Sequence, residues 1–235
     1  MATRASIDVD DLNRALDVRD LAGRLQLLAE RFPGRAAFST SLGQEDQVIT
    51  DVIWRLDLPI RIFTLDTGRL FDETYALIDA TEEKYGKRMD VYFPDTGEVE
   101  ALVSRKGMHS FRNSVPDRKE CCDIRKVHPL RRALRDVDVW ITGLRREQSA
   151  NRQTMQVVEW DEGYQLFKSN PLIDWTAGQM LEHLATHGVP DNPLHRRGFI
   201  SIGCAPCTRA IAPGEDPRAG RWWWETSKKE CGLHR

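Results

Sequence analysis

The sequence predicts an α/β protein in which a mostly parallel β-sheet is covered by helices on both faces. Short apolar segments typical of buried strands alternate with longer segments whose apolar residues recur at helical spacing. The segments between the strands are long enough for crossover helices, which join parallel strands. No internal repeat, low-complexity tract or long linker interrupts this alternation.

Four segments of the first 142 residues read as strands because they are short, apolar and rich in residues that favour β-structure. These predicted strands are 36–39, 59–65, 89–93 and 137–142. The segment 151–170 is less regular, and it has room for further short strands.

The predicted helices show apolar residues three or four positions apart, with charged residues between them. They are 10–31, 43–56, 71–85, a helix that begins at 98, 117–135 and 175–187. A break is expected near Pro129, because proline removes a backbone donor inside a helix. Gly188 and Pro190 mark the end of the last helix.

Composition is that of an ordinary soluble protein, with 235 residues, 40% of them hydrophobic and 30% charged. No apolar run approaches the ~20 residues of a membrane-spanning helix, and no secretory signal is evident. We therefore expect a cytoplasmic protein with no membrane partner. A body of residues 1–200 and a Gly-, Pro-, Cys- and Trp-rich tail of residues 201–235 are expected to form one structural unit.

The five cysteines divide naturally into four and one. Cys204 and Cys207 have the spacing that lets two thiolates hold one metal centre, and Cys121 and Cys122 supply a second pair. Thiolate-rich sites select zinc or iron–sulfur clusters. A redox pair at Cys204 and Cys207 is an alternative, but it leaves the other pair without a role.

Cys231 stands apart near the C-terminus. Lys228 and Lys229 precede it and His234 follows it, and these groups favour the thiolate, which is the form that attacks. This residue is therefore a candidate nucleophile. A surface thiol without a function is the alternative.

Two polar loops follow two successive predicted strands. The first is Ser39-Thr-Ser-Leu-Gly-Gln-Glu-Asp46 and the second is Leu65-Asp66-Thr67-Gly68. Ligands of open parallel sheets lie at the carboxyl ends of the strands, and unpaired N–H groups at a helix start bind anions. The loops thus favour a nucleotide site, although the first one is also compatible with a plain helix cap.

Basic residues cluster around the cysteines and after the strand at 137–142, where arginine suits phosphate and sulfate oxygens. His183 and His187 lie one helical turn apart, as in an HExxH zinc motif. Leu184 stands where that motif requires glutamate, so the pair is interpreted as structural.

Taken together, these segments resemble the assimilatory adenylyl-sulfate reductase family, which is related to phosphoadenylyl-sulfate reductases. The resemblance extends from about Ser39 to His234. Its blocks are STSLGQED, TLDTGRLFDETY, ECCDIRKVHPL, GLRREQS, SIGCAPCTR, GRWWWE and KKECGLH. It implies a Rossmann-like fold of the adenine nucleotide alpha-hydrolase type.

The resemblance also implies an activity and a set of site residues. The Cys231 thiolate would attack the sulfur of adenylyl sulfate, and reduced thioredoxin or glutaredoxin would then release sulfite. His234, Lys126, Arg218 and Arg221 match the family's catalytic positions. The substrate-binding positions are Ser39, Ser41, Gly43, Leu65, Asp66, Gly68, Arg145 and Arg146.

Cys121, Cys122, Cys204 and Cys207 match the ligands of a [4Fe–4S] cluster in this family. Members with these four cysteines mostly use adenylyl sulfate, so that substrate is expected; the 3′-phosphorylated form, or use of both, is the alternative. Thioredoxin is expected as a separate protein, and assembly into a homo-oligomer is compatible with the sequence.

Two other functions fit parts of the pattern. An iron–sulfur ATP-pyrophosphatase that modifies tRNA would have a glycine-richer loop than STSLGQED. A metal-bearing regulator would bind nucleic acid through residues 101–235, which carry 22 Lys and Arg against 16 Asp and Glu, and its retention on DNA would depend on salt. Neither explains a lone cysteine inside ECGLH, and no nucleic-acid partner is expected.

Overall fold

A computed structural model of the chain describes residues 7–148 and 152–225. Its sheet has six strands in the order β3-β2-β1-β4-β6-β5. They are β1 (Ala36–Thr40), β2 (Arg61–Leu65), β3 (Asp90–Tyr92), β4 (Val139–Ile141), β5 (Val158–Asp161) and β6 (Leu166–Ser169). The pairs β1–β2, β1–β4 and β4–β6 are parallel, and β5 runs antiparallel to β6. The mostly parallel sheet expected from the sequence is confirmed.

Helices connect the strands, as the hydrophobic spacing predicted. They are α1 (Val9–Asp17), α2 (Leu21–Arg31), α3 (Gln44–Arg55), α4 (Asp72–Tyr85), α5 (Thr96–Lys106), α6 (Val115–Cys122), α7 (His128–Ala133) and α8 (Ala177–Thr186). Residues 123–127 form a π-helical turn between α6 and α7. The predicted elements are therefore present, with boundaries that differ by a few residues.

The single helix expected over 10–31 was wrong, because the chain forms α1 and α2 there. Asp20 caps the start of α2 by accepting a hydrogen bond from Gly23 N, and Asp8 caps α1 in the same way. A capping side chain in extended backbone ends one helix and begins another. The leucine spacing continues through the break because both helices bury one face in the same core.

The irregularity expected near Pro129 lies just before that residue. Residues 123–127 take the π-helical turn, and Pro129 sits in the first turn of α7. His128 N donates to Asp123 O in the π-helical pattern, and Pro129 has no N–H to donate, so the regular α-helical hydrogen bonds do not run unchanged through this position. The helix thus changes register at the segment that follows the cysteine pair.

The chain folds into two compact units. The first comprises residues 1–64, 77–90 and 134–191, and the second comprises residues 65–76, 91–133 and 192–235. The large apolar core, which includes Leu25, Phe38 and Ile53, belongs to the first unit. A small cluster of Phe111, Trp222 and the buried cysteines belongs to the second. The boundary at residue 200 expected from composition stays a prediction. Within the described ranges, no helix has the length and apolar character needed to cross a membrane.

Candidate active site

The second unit brings four of the five cysteines to one cavity. Cys121 and Cys122 end α6, while Cys204 and Cys207 flank a short 3₁₀ turn. The lining residues are Arg69, Phe111, Arg118, Cys121, Cys122, Arg125, Lys126, Cys204, Cys207, Arg221 and Trp222. The two cysteine pairs, separated by about 80 positions in sequence, therefore line one cavity, and their joint ligation of a metal centre stays a prediction.

The four cysteines carry thiols that form no disulfide among the described residues, and the thiols differ in environment. Burial, together with the neighbouring Cys204 and Cys122, raises the pKa of Cys207 to about 12. Burial also raises the pKa of the Cys121 thiol. At Cys204 burial acts in the same direction, but the charge of Lys126 and a hydrogen bond from Thr67 outweigh it and lower the pKa. The group as a whole is a sulfur-rich site surrounded by positive charge.

The residues present fit an anionic, thiolate-ligated group. Four thiolates carry four negative charges, and five cationic side chains line the same cavity. Arg125 Nε is buried there, and no hydrogen-bond partner for it lies among residues 7–148 and 152–225. A buried donor of this kind is costly unless it has an acceptor. A negatively charged metal–sulfur centre would supply one.

The loop that carries Cys204 and Cys207 is held by backbone hydrogen bonds. Ala205 N donates to Arg69 O at 2.8 Å, and Trp222 N donates to Cys207 O at 3.2 Å. The Arg221 guanidinium packs against the backbone of Gly203, since a Cβ atom there would lie 2.3 Å from Arg221 Nη2 and would require the guanidinium to move. The loop therefore brings the Arg221 guanidinium close to the cysteines.

The loop after β2 contacts the cysteine site directly. Asp66 accepts hydrogen bonds from Gly68 N at 2.7 Å and from the Tyr75 hydroxyl at 2.9 Å. Gly68 has a φ of +69°, a left-handed conformation that favours glycine. Leu65 ends β2 immediately before this turn. The turn thus gives a structural reason for the Asp and Gly that sequence singled out.

Thr67 and Arg125 are functional candidates that the sequence prediction did not include. Thr67 Oγ1 lies 3.3 Å from Cys204 Sγ, and Arg125 Nη1 donates to Thr67 O at 2.6 Å. Thr67 stands between two predicted substrate-binding residues, which was the available signal. Arg125 follows the cysteine pair by one helical turn, but its long-range partner could not be read from that spacing.

The predicted anion-binding residues of the second unit are not equivalent. Lys126 and Arg221 line the cysteine cavity. Arg221 Nη1 donates to Ile202 O at 3.3 Å, and the guanidinium stacks on the Trp222 ring at 4.8 Å. Arg218 does not line that cavity; it forms the turn that leads to Arg221, whose N–H donates to Arg218 O at 2.9 Å.

The Ser39–Gly43 loop of the first unit is organised by Asp46. The Ser41 hydroxyl and N–H both donate to Asp46 Oδ2, at 2.8 and 2.6 Å. Burial raises the pKa of Asp46 to about 7. Gly43 is the N-cap of α3 and contributes no capping side chain, so the N–H groups at this helix start are not capped from that position. Ser39 instead accepts a hydrogen bond from Trp140 Nε1 at 2.8 Å, which ties β1 to β4.

Arg145 and Arg146 also belong to the first unit, in the segment after β4. Arg145 is buried and donates to Glu45 Oε1 from Nε and Nη2, at 3.0 and 2.9 Å. Arg146 pairs with Asp174 and donates to Met155 O at 3.0 Å. Both guanidinium groups are therefore held by protein acceptors, and Arg145 is fixed to the start of α3. Cys231 and His234, the predicted nucleophile and its histidine, lie outside the described residues.

Comparisons with known proteins identify similar sequences along the whole chain. Residues 35–210 match the model of the phosphoadenosine phosphosulfate reductase domain. The adenosine 5′-phosphosulfate reductase of Rhizobium meliloti strain 1021 is 54% identical, over 94% of this chain and 84% of the relative. The protein of the same name from Agrobacterium fabrum strain C58 is 50% identical, over 99% of this chain and 90% of the relative.

Solved structures agree with the fold. The phosphoadenylyl-sulfate reductase of Candida auris, solved as a phosphate complex, is 26% identical and covers 88% of this chain and 98% of its own, with a TM-score of 0.75. The FMN adenylyltransferase of Candida glabrata, solved with FAD and pyrophosphate, is 15% identical, with a TM-score of 0.56 over 95% of this chain and 76% of its own. The second similarity concerns the fold alone.

Proposed function

The chain belongs to the phosphoadenosine phosphosulfate reductase family, and on that premise we propose that it reduces adenosine 5′-phosphosulfate to sulfite and AMP in assimilatory sulfate reduction. The observation that carries the proposal is identity of 50–54% with enzymes named for this substrate, over nearly the full chain. The convergence of Cys121, Cys122, Cys204 and Cys207 in one cationic cavity supports it.

The first step is nucleophilic attack by the Cys231 thiolate on the substrate's sulfur. A bond forms between Cys231 Sγ and that sulfur, the bond from sulfur to the bridging phosphate oxygen breaks, and AMP leaves with the electron pair. The product is an S-sulfocysteine on Cys231. Sequence alone assigns this role, through the lysines that precede Cys231 and the match to the family's ECGLH ending.

The second step needs two electrons from a dithiol protein, for which we propose thioredoxin. One of its thiolates attacks Cys231 Sγ, sulfite leaves with the electron pair of the S–S bond, and a mixed disulfide remains. The second thiolate of the donor then releases Cys231 and closes the donor disulfide. A reducing compartment such as the cytoplasm keeps both the donor and the enzyme's thiols reduced.

Positive charge must accompany the attack, because a thiolate approaches a substrate that carries sulfate and phosphate charges. Lys126 and Arg221, which line the cysteine cavity, are suited to hold the sulfate. We assign Arg218 to the same group through its turn with Arg221. By sequence match to the family alone, we assign contacts with the adenosine and its phosphate to residues of the loops at Ser39–Gly43 and Leu65–Gly68 and to Arg145 and Arg146.

We propose that Cys121, Cys122, Cys204 and Cys207 hold a [4Fe–4S] cluster. When bound, the cluster would supply a structural and electrostatic centre, with no electron transfer to the substrate. Zinc is the alternative that the thiolate set also accepts. Metal and acid-labile sulfide analysis of anaerobically purified protein separates the two, since a zinc site holds no sulfide.

The test of the activity is sulfite formation from adenosine 5′-phosphosulfate with reduced thioredoxin, measured against the 3′-phosphorylated substrate. We expect a higher kcat/KM for the substrate without the 3′-phosphate. A higher kcat/KM for the 3′-phosphorylated substrate would agree with the family assignment but contradict the proposed substrate. Absence of sulfite from both, with the cluster present, would overturn the proposed function.

A further inference from the structure

The first unit contains a group of potential metal ligands that the proposed reaction does not use. Asp51 of α3, and His183 and His187 at the end of α8, each offer one donor atom, and the three atoms lie within 4.8 Å of one another. We propose that these residues bind a divalent transition-metal ion of the zinc type. The histidine pair, interpreted as structural from its sequence, thus has Asp51 beside it as a possible third ligand.

The donor atoms are arranged as a site on two packed helices. Asp51 Oδ2 lies 2.8 Å from His183 Nε2, and the rings of His183 and His187 are 4.4 Å apart between centroids. Ligand atoms of a tetrahedral zinc site are roughly 3.3 Å apart, given metal–ligand bonds of about 2.0–2.2 Å. Side-chain adjustments of about 1.5 Å would therefore bring all three to one ion.

The three side chains differ in burial, which decreases from Asp51 to His187. Asp51 is 1% exposed, His183 is half-buried and His187 is exposed. An ion could therefore enter from solvent at His187 and meet a buried carboxylate. Three protein ligands leave a fourth coordination position for water, and two imidazoles with one carboxylate suit Zn²⁺, Co²⁺ or Ni²⁺.

The neighbouring groups orient the carboxylate and also oppose the ion. The Tyr85 hydroxyl donates to Asp51 Oδ1 at 2.9 Å, which leaves Oδ2 directed to His183. Hydrogen bonds of this kind orient metal ligands. Arg55 Nε also donates to Oδ2, at 3.2 Å, and its positive charge competes with a cation. Its side chain is 42% exposed, so it has space to move away.

Two substitutions, His187→Ala and Arg55→Gln, should change zinc binding in opposite directions. Cluster-loaded protein carrying Cys231→Ser, which removes a competing thiolate, is dialysed against Zn²⁺ at micromolar concentration, and bound zinc is counted per chain. We expect one zinc in this protein, at least about tenfold weaker binding after His187→Ala, and several-fold tighter binding after Arg55→Gln. His128→Ala, which changes another exposed, carboxylate-paired histidine, should leave binding unchanged.

The thermal midpoint, measured with and without Zn²⁺, is a second readout. It distinguishes a metal-binding site from a group of residues that only form hydrogen bonds with one another. Zn²⁺ should raise the thermal midpoint of the Cys231→Ser and His128→Ala proteins and leave that of His187→Ala unchanged, since binding to the folded state stabilises it. Zinc binding that is equal with and without His187, or no binding in the parent protein, would overturn the proposal. Neither outcome bears on the reductase activity, because the three residues take no part in it.

Discussion

Arg118 Nε and Glu225 Oε1 form a buried ion pair with a separation of 2.7 Å, and their side chains are 2% and 4% exposed. Arg118 lies in α6, one helical turn before the cysteine pair, and its guanidinium stacks on Trp222 at 4.4 Å. Glu225 precedes Cys231 by six positions. The ion pair therefore connects the helix that carries Cys121 and Cys122 to Glu225, the last described residue before the proposed nucleophile Cys231.

Loss of one partner should destabilise the second unit strongly. Glu225→Gln leaves Arg118 buried without its counter-charge, which costs about 3–5 kcal/mol when a buried pair is broken. We expect a lower thermal midpoint and faster loss of the cluster's visible absorption. Glu215→Gln, which removes the exposed partner of Arg209, should cost at most about 1 kcal/mol. If Glu225→Gln and Glu215→Gln lowered the thermal midpoint equally, burial of the Arg118–Glu225 pair would not determine its effect on stability.

Asp46 should make stability depend on pH. Burial raises its folded-state pKa to about 7, above its ordinary value of 3.8, so folding favours the protonated form. The contribution of protonated Asp46 to the free energy of unfolding is complete below pH 4. As pH rises toward and through 7, this contribution is lost, and the free energy of unfolding falls by roughly 2–4 kcal/mol. Asp46→Asn should remove most of this dependence in thermal midpoints measured from pH 5 to 8.

An exposed carboxylate supplies the control for Asp46. Asp57 pairs with Lys87 at the surface, so Asp57→Asn should leave the profile between pH 5 and 8 nearly unchanged. The assignment to Asp46 fails if Asp46→Asn retains the full decline in stability as pH rises from 5 to about 7.

Gly143 should not tolerate a side chain. A Cβ atom there would lie 2.1 Å from Oδ1 of Asp46, the carboxylate whose Oδ2 holds Ser41. Gly143→Ala should cost about 1–3 kcal/mol, as overpacking does, and raise the KM for the nucleotide. Gly178→Ala in α8, where the nearest atom is 3.8 Å away, should be neutral or stabilising by up to about 1 kcal/mol. An unchanged KM in Gly143→Ala would show that the packing of Gly143 against Asp46 does not affect substrate binding.

Thr67 should tune the proposed cluster. Its hydroxyl lies 3.3 Å from Cys204 Sγ, and hydrogen bonds to the sulfurs help to set a cluster's reduction potential. Thr67→Val keeps the shape and removes the donor, so we expect a more negative potential in electrochemical titration. Thr67→Ser keeps the donor and should retain the potential of the parent protein. Identical potentials in the Val and Ser variants would exclude this role.

The sequence predicted what depends on local pattern and on a distinctive spacing. Apolar runs such as 137–142 predicted the strands, and the two cysteine pairs predicted one thiolate site, which the structure assembles in the second unit. Contacts between distant residues could not be read in this way. The Arg118–Glu225 pair spans 107 positions, and Thr67 meets Cys204 across 137. The break before Asp20 was missed because the leucine spacing continues across it.

Covalent transfer of the sulfonate group to Cys231 is tested most directly by mass spectrometry. Anaerobically purified, cluster-loaded protein is incubated with adenosine 5′-phosphosulfate without any reductant, and the intact mass is compared with that of Cys231→Ser. We predict a gain of one SO₃ on the parent protein, its absence from the variant, and its loss on addition of reduced thioredoxin. An unmodified parent protein, or an adduct that persists in Cys231→Ser, would contradict sulfonate transfer to Cys231.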